Sequence, residues 1–393
     1  MNYSSETINK LYYGNRLINI SVTNGGGGDV PSNLSEWTYD DNGNVKSITY
    51  TAETIPDSTY NYSHLNDATI KSSVRSIGNY AFNFSGQMSG LTIENGVTSI
   101  GYYAFSNCTS LTSVNIPNSV TRISIQAFSY CTGLTSVTIS SGITSIPTNC
   151  FNNCTSLTSI DIPNGVTSIG DYALQGCSSL TSCTIGSGVT SYSNYMLRNC
   201  SSLTSITIGN NVTSIGNYTF LQCSGITSIV IPSSVTSIGN HAFESCSGLT
   251  SMVIPDTVTS IGSGAFINCG NLTACTIGSG ITNALSSDIF RNCNKLSHVE
   301  INVNLPNSLL QVATNLTEAV VGSNVTSIGR YNFSGKTKLT SVTILATTPP
   351  TLVANNEFNN TNNCPIYVPA ASVDAYKSAT YWSTYASRIQ AIP

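Results

Sequence analysis

The sequence predicts a repeat solenoid, and three observations support that prediction. Cysteine recurs every 23 residues, a fixed apolar pattern follows each of these cysteines, and a proline or glycine turn follows each pattern. A fixed period of this length is typical of a solenoid, in which each coil buries its apolar face against its neighbours. The regularly spaced cysteines are Cys108, Cys131, Cys154, Cys177, Cys200, Cys223, Cys246 and Cys269.

The segment after each cysteine predicts a strand on one side of the coil. Leucine, valine and isoleucine follow three, six and eight positions after the cysteine, as in Leu111, Val114 and Ile116. Alternation of apolar and polar residues indicates a half-buried strand. Cys183 and Cys275 stand where other repeats have valine, so they are interpreted as core residues.

The rest of each repeat predicts a second extended side and two corners. Proline or glycine ends the strand, and a segment such as Val166-Thr167-Ser168-Ile169-Gly170 then predicts a second short strand. The pair Ala242-Phe243 and its equivalents predict a short helical turn that buries the aromatic ring. Identical apolar residues would then stack from coil to coil, over about twelve coils.

The repeat resembles the BspA-type leucine-rich repeat family. The resemblance rests on the pattern Val-Thr-Ser-Ile-Gly-x-x-Ala-Phe-x-x-Cys-x-x-Leu-Thr-Ser-Val-x-Ile-Pro, which is read over residues 97–117 and extends over about residues 74–345. It implies a leucine-rich-repeat, β-rich, right-handed coil with short strands on two sides, short helical turns and a cap at each end. It also implies adhesion or recognition at bacterial or protist surfaces, without catalysis, and it transfers no set of binding residues.

Four segments are predicted along the chain. Residues 1–36 form an attachment segment, with short strands at Leu11–Tyr13 and Leu17–Ile20 and a glycine-rich linker around Gly25–Gly28. Residues 37–73 form a divergent cap with an insertion over about 51–73. Residues 74–345 form the solenoid. Residues 346–393 form a C-terminal cap, with a strand at Ile366–Pro369 and a helix from Ser372 whose Val373, Tyr376, Trp382, Tyr385 and Ile389 share one face.

Composition argues against several classes of function. Charged residues make up 8% of the chain and the net charge is -4, so no basic patch suggests nucleic acid. No stretch is long and apolar enough for a membrane helix, and the start shows no secretory signal. The expected location is therefore a surface reached by another route, and a phage virion is favoured over a bacterial cell surface. The segment Leu11–Ile20 resembles the attachment segments that begin some gut phage virion proteins.

No catalytic, cofactor or metal site is predicted. The sequence has no nucleophile elbow, Walker loop, HExxH or dinucleotide motif, and its carboxylates form no specific pair. The thirteen cysteines are interpreted as buried thiols, with disulfides or a metal site as alternatives. The expected protein is therefore not an enzyme and needs no cofactor, although a hydrolase remains a third hypothesis because fold alone never excludes function.

The candidate binding face lies on the strand side, where outward positions vary more than the core. Serines recur five positions after the cysteine, and the position two residues later changes from coil to coil. Threonines form a further row on the opposite side, which either bond along the stack or bind ice or glycans. The candidate residues are Asn115, Thr138, Asp161, Thr184, Thr207, Val230, Val253, Thr276, His298 and Glu300.

These observations favour a surface-displayed adhesion or receptor-recognition protein. Its predicted partners are a protein or glycan receptor on a cell surface, bound by the repeats, and a second partner that anchors residues 1–36. The alternative is a structural decoration or spacer, which predicts that Asp161→Ala and Glu300→Ala change no binding. Neither hypothesis involves nucleic acid or insertion into a membrane.

Overall fold

The computed structural model describes residues 10–13, 16–19, 34–39, 45–57 and 65–393, with side chains described over 46–57 and 65–393. The chain divides into two compact units, unit 1 (Met1–Leu157) and unit 2 (Thr158–Pro393). Within each unit, short parallel strands of successive coils pair about 23 residues apart, as Val114 pairs with Val137 and Ile215 with Ile238. The predicted repeat solenoid is therefore confirmed.

Unit 1 begins with antiparallel pairs and continues with parallel coils. β1 pairs with β2, which confirms the two predicted N-terminal strands as far as Asn19, and β3 pairs with β4. The strands are β1 (Lys10–Tyr13), β2 (Arg16–Asn19), β3 (Leu34–Tyr39), β4 (Val45–Tyr50), β5 (Thr54–Ile55), β6 (Asp67–Ile70), β7 (Ser76–Ile77), β8 (Gly90–Ile93), β9 (Ser99–Ile100), β10 (Ser113–Asn115), β11 (Arg122–Ile123), β12 (Ser136–Thr138) and β13 (Ser145–Ile146).

The N-terminal cap differs from the sequence prediction. Residues 51–73 were expected to form an insertion, but β5 pairs in parallel with β7, and β6 pairs with both β4 and β8. The described part of this segment therefore contributes both strands of a coil. The repeat pattern is hard to see here because Leu65, Ala68 and Ile70 fill the core without a cysteine. The predicted glycine-rich linker lies outside the described residues.

Unit 2 contains the remaining strands and the short helices. β14 pairs with β16, β17-β18-β19-β21 form a sheet on the other side, β25 pairs with β27, and β20-β22-β23-β24-β26-β28-β29 form a seven-stranded sheet. The strands are β14 (Ser159–Ile162), β15 (Ser168–Ile169), β16 (Ser182–Ile185), β17 (Ser191–Tyr192), β18 (Ser214–Ile215), β19 (Ser237–Ile238), β20 (Ser251–Ile254), β21 (Ser260–Ile261), β22 (Ala274–Ile277), β23 (His298–Ile301), β24 (Glu318–Val321), β25 (Ser327–Ile328), β26 (Ser341–Ile344), β27 (Thr351–Leu352), β28 (Ile366–Val368) and β29 (Ile389–Ala391).

The core consists of columns of identical positions. Outward and buried residues alternate along strands such as β14 and β20, as the sequence predicts. The phenylalanine rings stack almost parallel inside the coils. In unit 2, Phe220 lies 5.2 Å from Phe243, and Phe243 lies 5.5 Å from Phe266, between ring centroids. Each coil therefore buries its ring on the next coil, as expected for a repeat that cannot form a core alone.

The corner that carries the phenylalanine turns without forming a regular helix. In the coil of Phe243, the N–H groups of Glu244 and Cys246 donate to carbonyls three residues earlier, whereas that of Phe243 donates to Ala265 of the next coil. His241 and Ser245 have left-handed φ angles of 54° and 60°. A right-handed helix cannot pass through residues in that conformation, so the predicted helical turn is a series of tight turns.

Two further details concern the strand side of unit 2. Segments 205–208 and 228–231 belong to no strand, although Ile206, Ile208, Ile229 and Ile231 remain buried there. The predicted shortening of the coil between Ile301 and Leu316 is confirmed, because Ile301 pairs with Val321, twenty residues later.

The C-terminal cap has the predicted strand and buried aromatic residues, but a shorter helix. α1 (Val373–Ser378) is followed by a 3-10 helix (Trp382–Arg388), and a preceding 3-10 turn covers Ala370–Ser372. Tyr381 interrupts the helix with a φ of 66°. Tyr376, Trp382, Tyr385 and Ile389 are buried as predicted, although they do not share one continuous helix.

Candidate functional site

The predicted binding residues lie on the outward side of the strand face, but not in one uninterrupted row. In unit 1, Asn115 pairs with Thr138, and in unit 2, Asp161 pairs with Thr184. Val253, Thr276 and Glu300 occupy neighbouring strands of the seven-stranded sheet, and His298 lies beside Ala274 on the same face. Thr207 and Val230 lie in the two segments that form no strand.

The seven-stranded sheet extends this row beyond the residues that the sequence singled out. We define the strand face as the outward side chains of β20, β22, β23, β24, β26, β28 and β29. The residues missed were Glu318, Val320, Thr343, Tyr367 and Gln390. The signal was available, because Ala319 and Val321 keep the strand spacing, but the shortened coil shifts Val320 out of the 23-residue count.

The strand face combines apolar and charged groups. Val253 is 60% exposed and Val230, on the preceding segment, is 79% exposed, although an outward strand position normally favours a polar residue. His298 Nδ1 lies 3.2 Å from Glu318 Oε2, across two neighbouring strands. The face therefore offers apolar contacts beside a carboxylate–imidazole pair.

A rigid apolar layer lies directly beneath this face. The inward residues of the same strands are fully or almost fully buried, and they pair in register from β20 to β28. They are Met252, Cys275, Val299, Ala319, Val342 and Ile366. A packed layer of this kind fixes the outward side chains at regular intervals of about 4.8 Å.

The hydroxyl rows are committed to the stack. On the second side of unit 2, each threonine hydroxyl donates to the backbone carbonyl of the threonine one coil earlier. Thr236 donates to Thr213 at 3.1 Å, Thr259 to Thr236 at 3.0 Å, and Thr282 to Thr259 at 3.2 Å. These protons stabilise the coils, which supports the structural interpretation of the ladder. The predicted row of exposed serines on the strand side is also present.

The cysteines form a buried thiol column, and none is in a disulfide. Cys246 Sγ donates to the carbonyl of Phe220 at 3.2 Å, and Cys269 Sγ donates to that of Phe243 at 3.2 Å. Burial raises the pKa of Cys246 well above its usual value, and raises the pKa of Cys223 to about 12. These thiols are therefore protonated core groups, as predicted.

Two searches of the described residues bear on other kinds of site. No group of three histidine, cysteine, aspartate or glutamate side chains within them is arranged to hold a metal ion. None of the helices in the described ranges is long and apolar enough to cross a bilayer.

The comparison with family models decides the family. The model of the BspA type leucine-rich repeat region matches overlapping segments 53–155, 126–250, 213–309, 237–365 and 304–390. The chain belongs to the BspA-type leucine-rich repeat family. A search of curated proteins finds no match.

Solved structures of bacterial leucine-rich repeat proteins are similar in fold. A protein from Bacteroides ovatus is 24% identical, with a TM-score of 0.63 over 93% of this chain and 100% of that one. A second, from Eubacterium ventriosum, is 21% identical, with a TM-score of 0.46 over 87% and 92%. The similarity in fold rests on the first of these.

Proposed function

We propose that this protein is a non-enzymatic recognition protein, displayed on a surface, that binds a protein receptor on a cell through its strand face. The observation that carries the proposal is the contrast between the two sides of one sheet. The inward residues are uniformly small or aliphatic, whereas the outward row changes from Val253 to Thr276, Glu300 and Val320. Variation confined to the outward positions suits a surface that recognises a partner.

The dimensions of the strand face also support a protein partner. Seven strands separated by about 4.8 Å span roughly 29 Å, and a standard protein interface covers about 800 Å² on each side. The exposed Val253 would supply an apolar contact near one end of the face, and Glu300 and Glu318 would attract a basic partner.

The anchor remains part of the proposal. Residues 1–36 would attach the repeats to a carrier, and the described part of this segment includes the hairpin of β1 and β2. Two carriers fit, a bacterial cell envelope and a phage particle. Mass spectrometry of purified virions and of envelope fractions would distinguish them, because the protein should be enriched in only one.

The alternative proposal is a structural spacer, in which the repeats only provide length. Asp161→Ala and Glu300→Ala would then leave all binding unchanged. Both residues can be tested without disturbing the core, because their side chains point away from it.

The test is binding of the full-length protein to a panel of bacterial and host cells. The strand-face variant combines Val253→Ser, Glu300→Lys and Val320→Ser, which alter outward positions on three strands. We expect the wild type to bind a subset of cells and this variant to bind them at least ten-fold more weakly. The charge-matched control is Asp374→Lys, since Asp374 is exposed on α1 and lies outside the strand face.

Two results would contradict the proposal. If the strand-face variant binds the same cells as the wild type, recognition lies elsewhere on the chain. If the wild type binds no cell type, the spacer alternative gains support. A loss of binding in the Asp374→Lys control would show that charge alone explains the effect.

A further inference from the structure

A polar depression lies at one corner of unit 2, away from the strand face. We define the corner patch as the outward side chains of residues 172–178, 195–201, 218–224 and 241–247, the segments that precede and follow four successive cysteines. The depression within it has a volume of about 470 Å³, and all its lining residues carry hydroxyl or amide groups. They are Ser178, Asn199, Ser201, Gln222, Ser224 and Ser245.

Three polar atoms of the corner patch lack partners. Gln175 Oε1, Arg198 Nε and Asn199 Oδ1 are shielded from solvent and make no hydrogen bond with any described residue. Within the described part of unit 2 these are the shielded side-chain atoms without partners, and all three lie in two neighbouring coils. Such atoms are unfavourable unless something satisfies them, so they indicate a ligand that is absent here.

Arg198 is unusual in the chain as well as in the fold. It is the only lysine or arginine between Arg122 and Arg291. Among the described residues, the ion pairs involve other side chains, and Arg198 has no carboxylate within 4 Å. A guanidinium without a counter-ion, next to a polar depression, is suited to bind an anion.

A stack of aromatic rings holds this arginine in place. The rings of Tyr172, Tyr195, Tyr218 and His241 lie nearly parallel at 4.6, 4.6 and 4.9 Å between centroids. The Arg198 guanidinium lies over the Tyr195 ring at 5.7 Å. At the end of the stack, His241 Nδ1 lies 2.8 Å from Glu244 Oε2. The row is therefore a fixed wall that positions Arg198 before a ligand arrives.

The same corner explains why a glycine follows the stack. A Cβ atom at Gly264 would lie 2.7 Å from the His241 ring, and Gly264 has a left-handed φ of 64°. Any larger residue would displace the ring and so loosen the row that supports Arg198.

The chemistry of these groups indicates the class of ligand. One cation, several amides and several hydroxyls fit a molecule that is anionic at one point and hydroxylated elsewhere. A nucleic acid would require several phosphate contacts, and a single arginine cannot supply them. We propose that the corner patch binds a carboxylate-bearing oligosaccharide, with Arg198 holding the carboxylate and Asn199 and Gln222 holding sugar hydroxyls. This site is separate from the strand face, and its test does not depend on the proposed protein receptor.

The test is calorimetric titration of the full-length protein with two acidic oligosaccharides, trigalacturonate and sialyllactose. Their neutral counterparts are methyl-esterified trigalacturonate and lactose. We expect at least one acidic compound to bind ten-fold or more tightly than its counterpart, and Arg198→Gln to abolish that preference. The matched control is Arg291→Gln, because Arg291 occupies the same repeat position in a coil outside the depression.

A second variant keeps the test decisive if Arg198→Gln impairs folding. Asn199→Asp tolerates the left-handed φ of 62° and adds a negative charge to the depression. It should weaken the acidic compound selectively and leave the melting temperature unchanged. The proposal is overturned if acidic and neutral compounds bind alike, if neither binds, or if the Arg198 and Asn199 variants keep the acidic preference.

Discussion

The central and the last coils of unit 2 place different residues at the same two core positions. In the central coils, the position before the phenylalanine holds Ala242 or Ala265, and the cysteine position holds Cys246 or Cys269. In the last coils, the first position holds Asn332 or Glu357 and the second holds Lys336 or Thr361. All of these side chains are buried.

The difference follows from how each coil satisfies its N–H groups. In the central coils, the Phe220 N–H donates to the backbone carbonyl of Ala242 at 2.8 Å. In the last coils, side-chain oxygens replace that carbonyl. The Leu310 N–H donates to Asn332 Oδ1 at 3.1 Å, and the Phe333 N–H donates to Glu357 Oε1 at 3.0 Å.

Spacing accounts for this exchange. The central phenylalanines are 23 residues apart, whereas Phe333 and Phe358 are 25 residues apart. Glu357 also accepts the N–H groups of Tyr331 and Asn332, at 2.9 and 2.7 Å. A regular period lets the backbone satisfy itself, and an irregular one requires polar side chains inside the core.

The largest predicted difference between the two regions is alkaline unfolding of the central coils. Burial raises the thiol pKa at Cys183, Cys200, Cys223, Cys246 and Cys275. The unfolded chain loses these protons above about pH 8.5, while the folded chain keeps them. Stability is therefore fully present below that pH, and falls by about 1.4 kcal/mol per thiol for each further pH unit.

The measurement is circular dichroism together with thiolate absorbance as the pH is raised. We expect cooperative unfolding that coincides with thiolate formation. Cys246→Ala should shift the transition to higher pH, because one fewer buried thiol then ionises on unfolding. Thiolate formation well before any loss of structure would contradict the thiol column.

The second prediction concerns the phenylalanine column. Phe243→Ala should lower the free energy of unfolding by about 3–5 kcal/mol, because the ring is fully buried between Phe220 and Phe266. The measurement is urea denaturation. Phe243→Leu is the control and should cost under about 1.5 kcal/mol, since Leu174 and Leu197 fill this position in other coils. Equal melting of Phe243→Ala and wild type would contradict the stacking.

The third prediction tests the polar end. Glu357→Ala leaves three backbone N–H groups without acceptors and Lys336 without a nearby carboxylate, so it should cost about 3 kcal/mol. Glu357→Gln retains one carbonyl and should cost less. The measurement is hydrogen exchange at Tyr331, Asn332 and Phe333, which should become fast in Glu357→Ala. Unchanged protection there would rule out the role assigned to Glu357.

Glu357 also predicts a pH dependence opposite to that of most carboxylates. Burial raises the pKa of Glu357 from 4.5 to about 7, against the lowering effect of its backbone hydrogen bonds. The folded state therefore holds this proton more tightly, so its contribution is complete below pH 4.5 and lost as the pH rises towards 7. Glu357→Gln should remove that slope from the stability profile.

The smallest predicted effect belongs to the threonine ladder. Thr259→Val removes a 3.0 Å hydrogen bond to the Thr236 carbonyl, but keeps the shape and the β-propensity of the side chain. We expect a cost of about 1 kcal/mol or less, measured by thermal unfolding. A larger loss would mean that the ladder contributes more to the stack than the buried columns do.

The sequence was sufficient for the parts of the fold that repeat. The 23-residue spacing predicted both strand sides, the buried thiols and the stacking of Phe243 on its neighbours. It did not predict the strandless segments 205–208 and 228–231, because Ile206 and Ile229 keep the usual pattern. It also missed the core role of Glu357, since a carboxylate takes that position only where the period changes.

The candidate sites were predicted only in part. Val253, Thr276 and Glu300 were identified because they vary at an outward position, and the sheet brings them together. Glu318 and Val320 were missed because the preceding coil is three residues shorter. Arg198 was overlooked because its meaning depends on Tyr195 and on unsatisfied atoms nearby, which only coordinates reveal.

Photo-crosslinking on intact cells tests recognition by the strand face most directly. A photoreactive residue would replace Thr276 on the strand face, Ser224 in the corner patch, or Thr259 on the opposite side, each in the full-length protein. We predict a crosslinked cell-surface protein from position 276 and none from position 259. Equal crosslinking from both positions, or crosslinking from position 259 alone, would contradict recognition by the strand face.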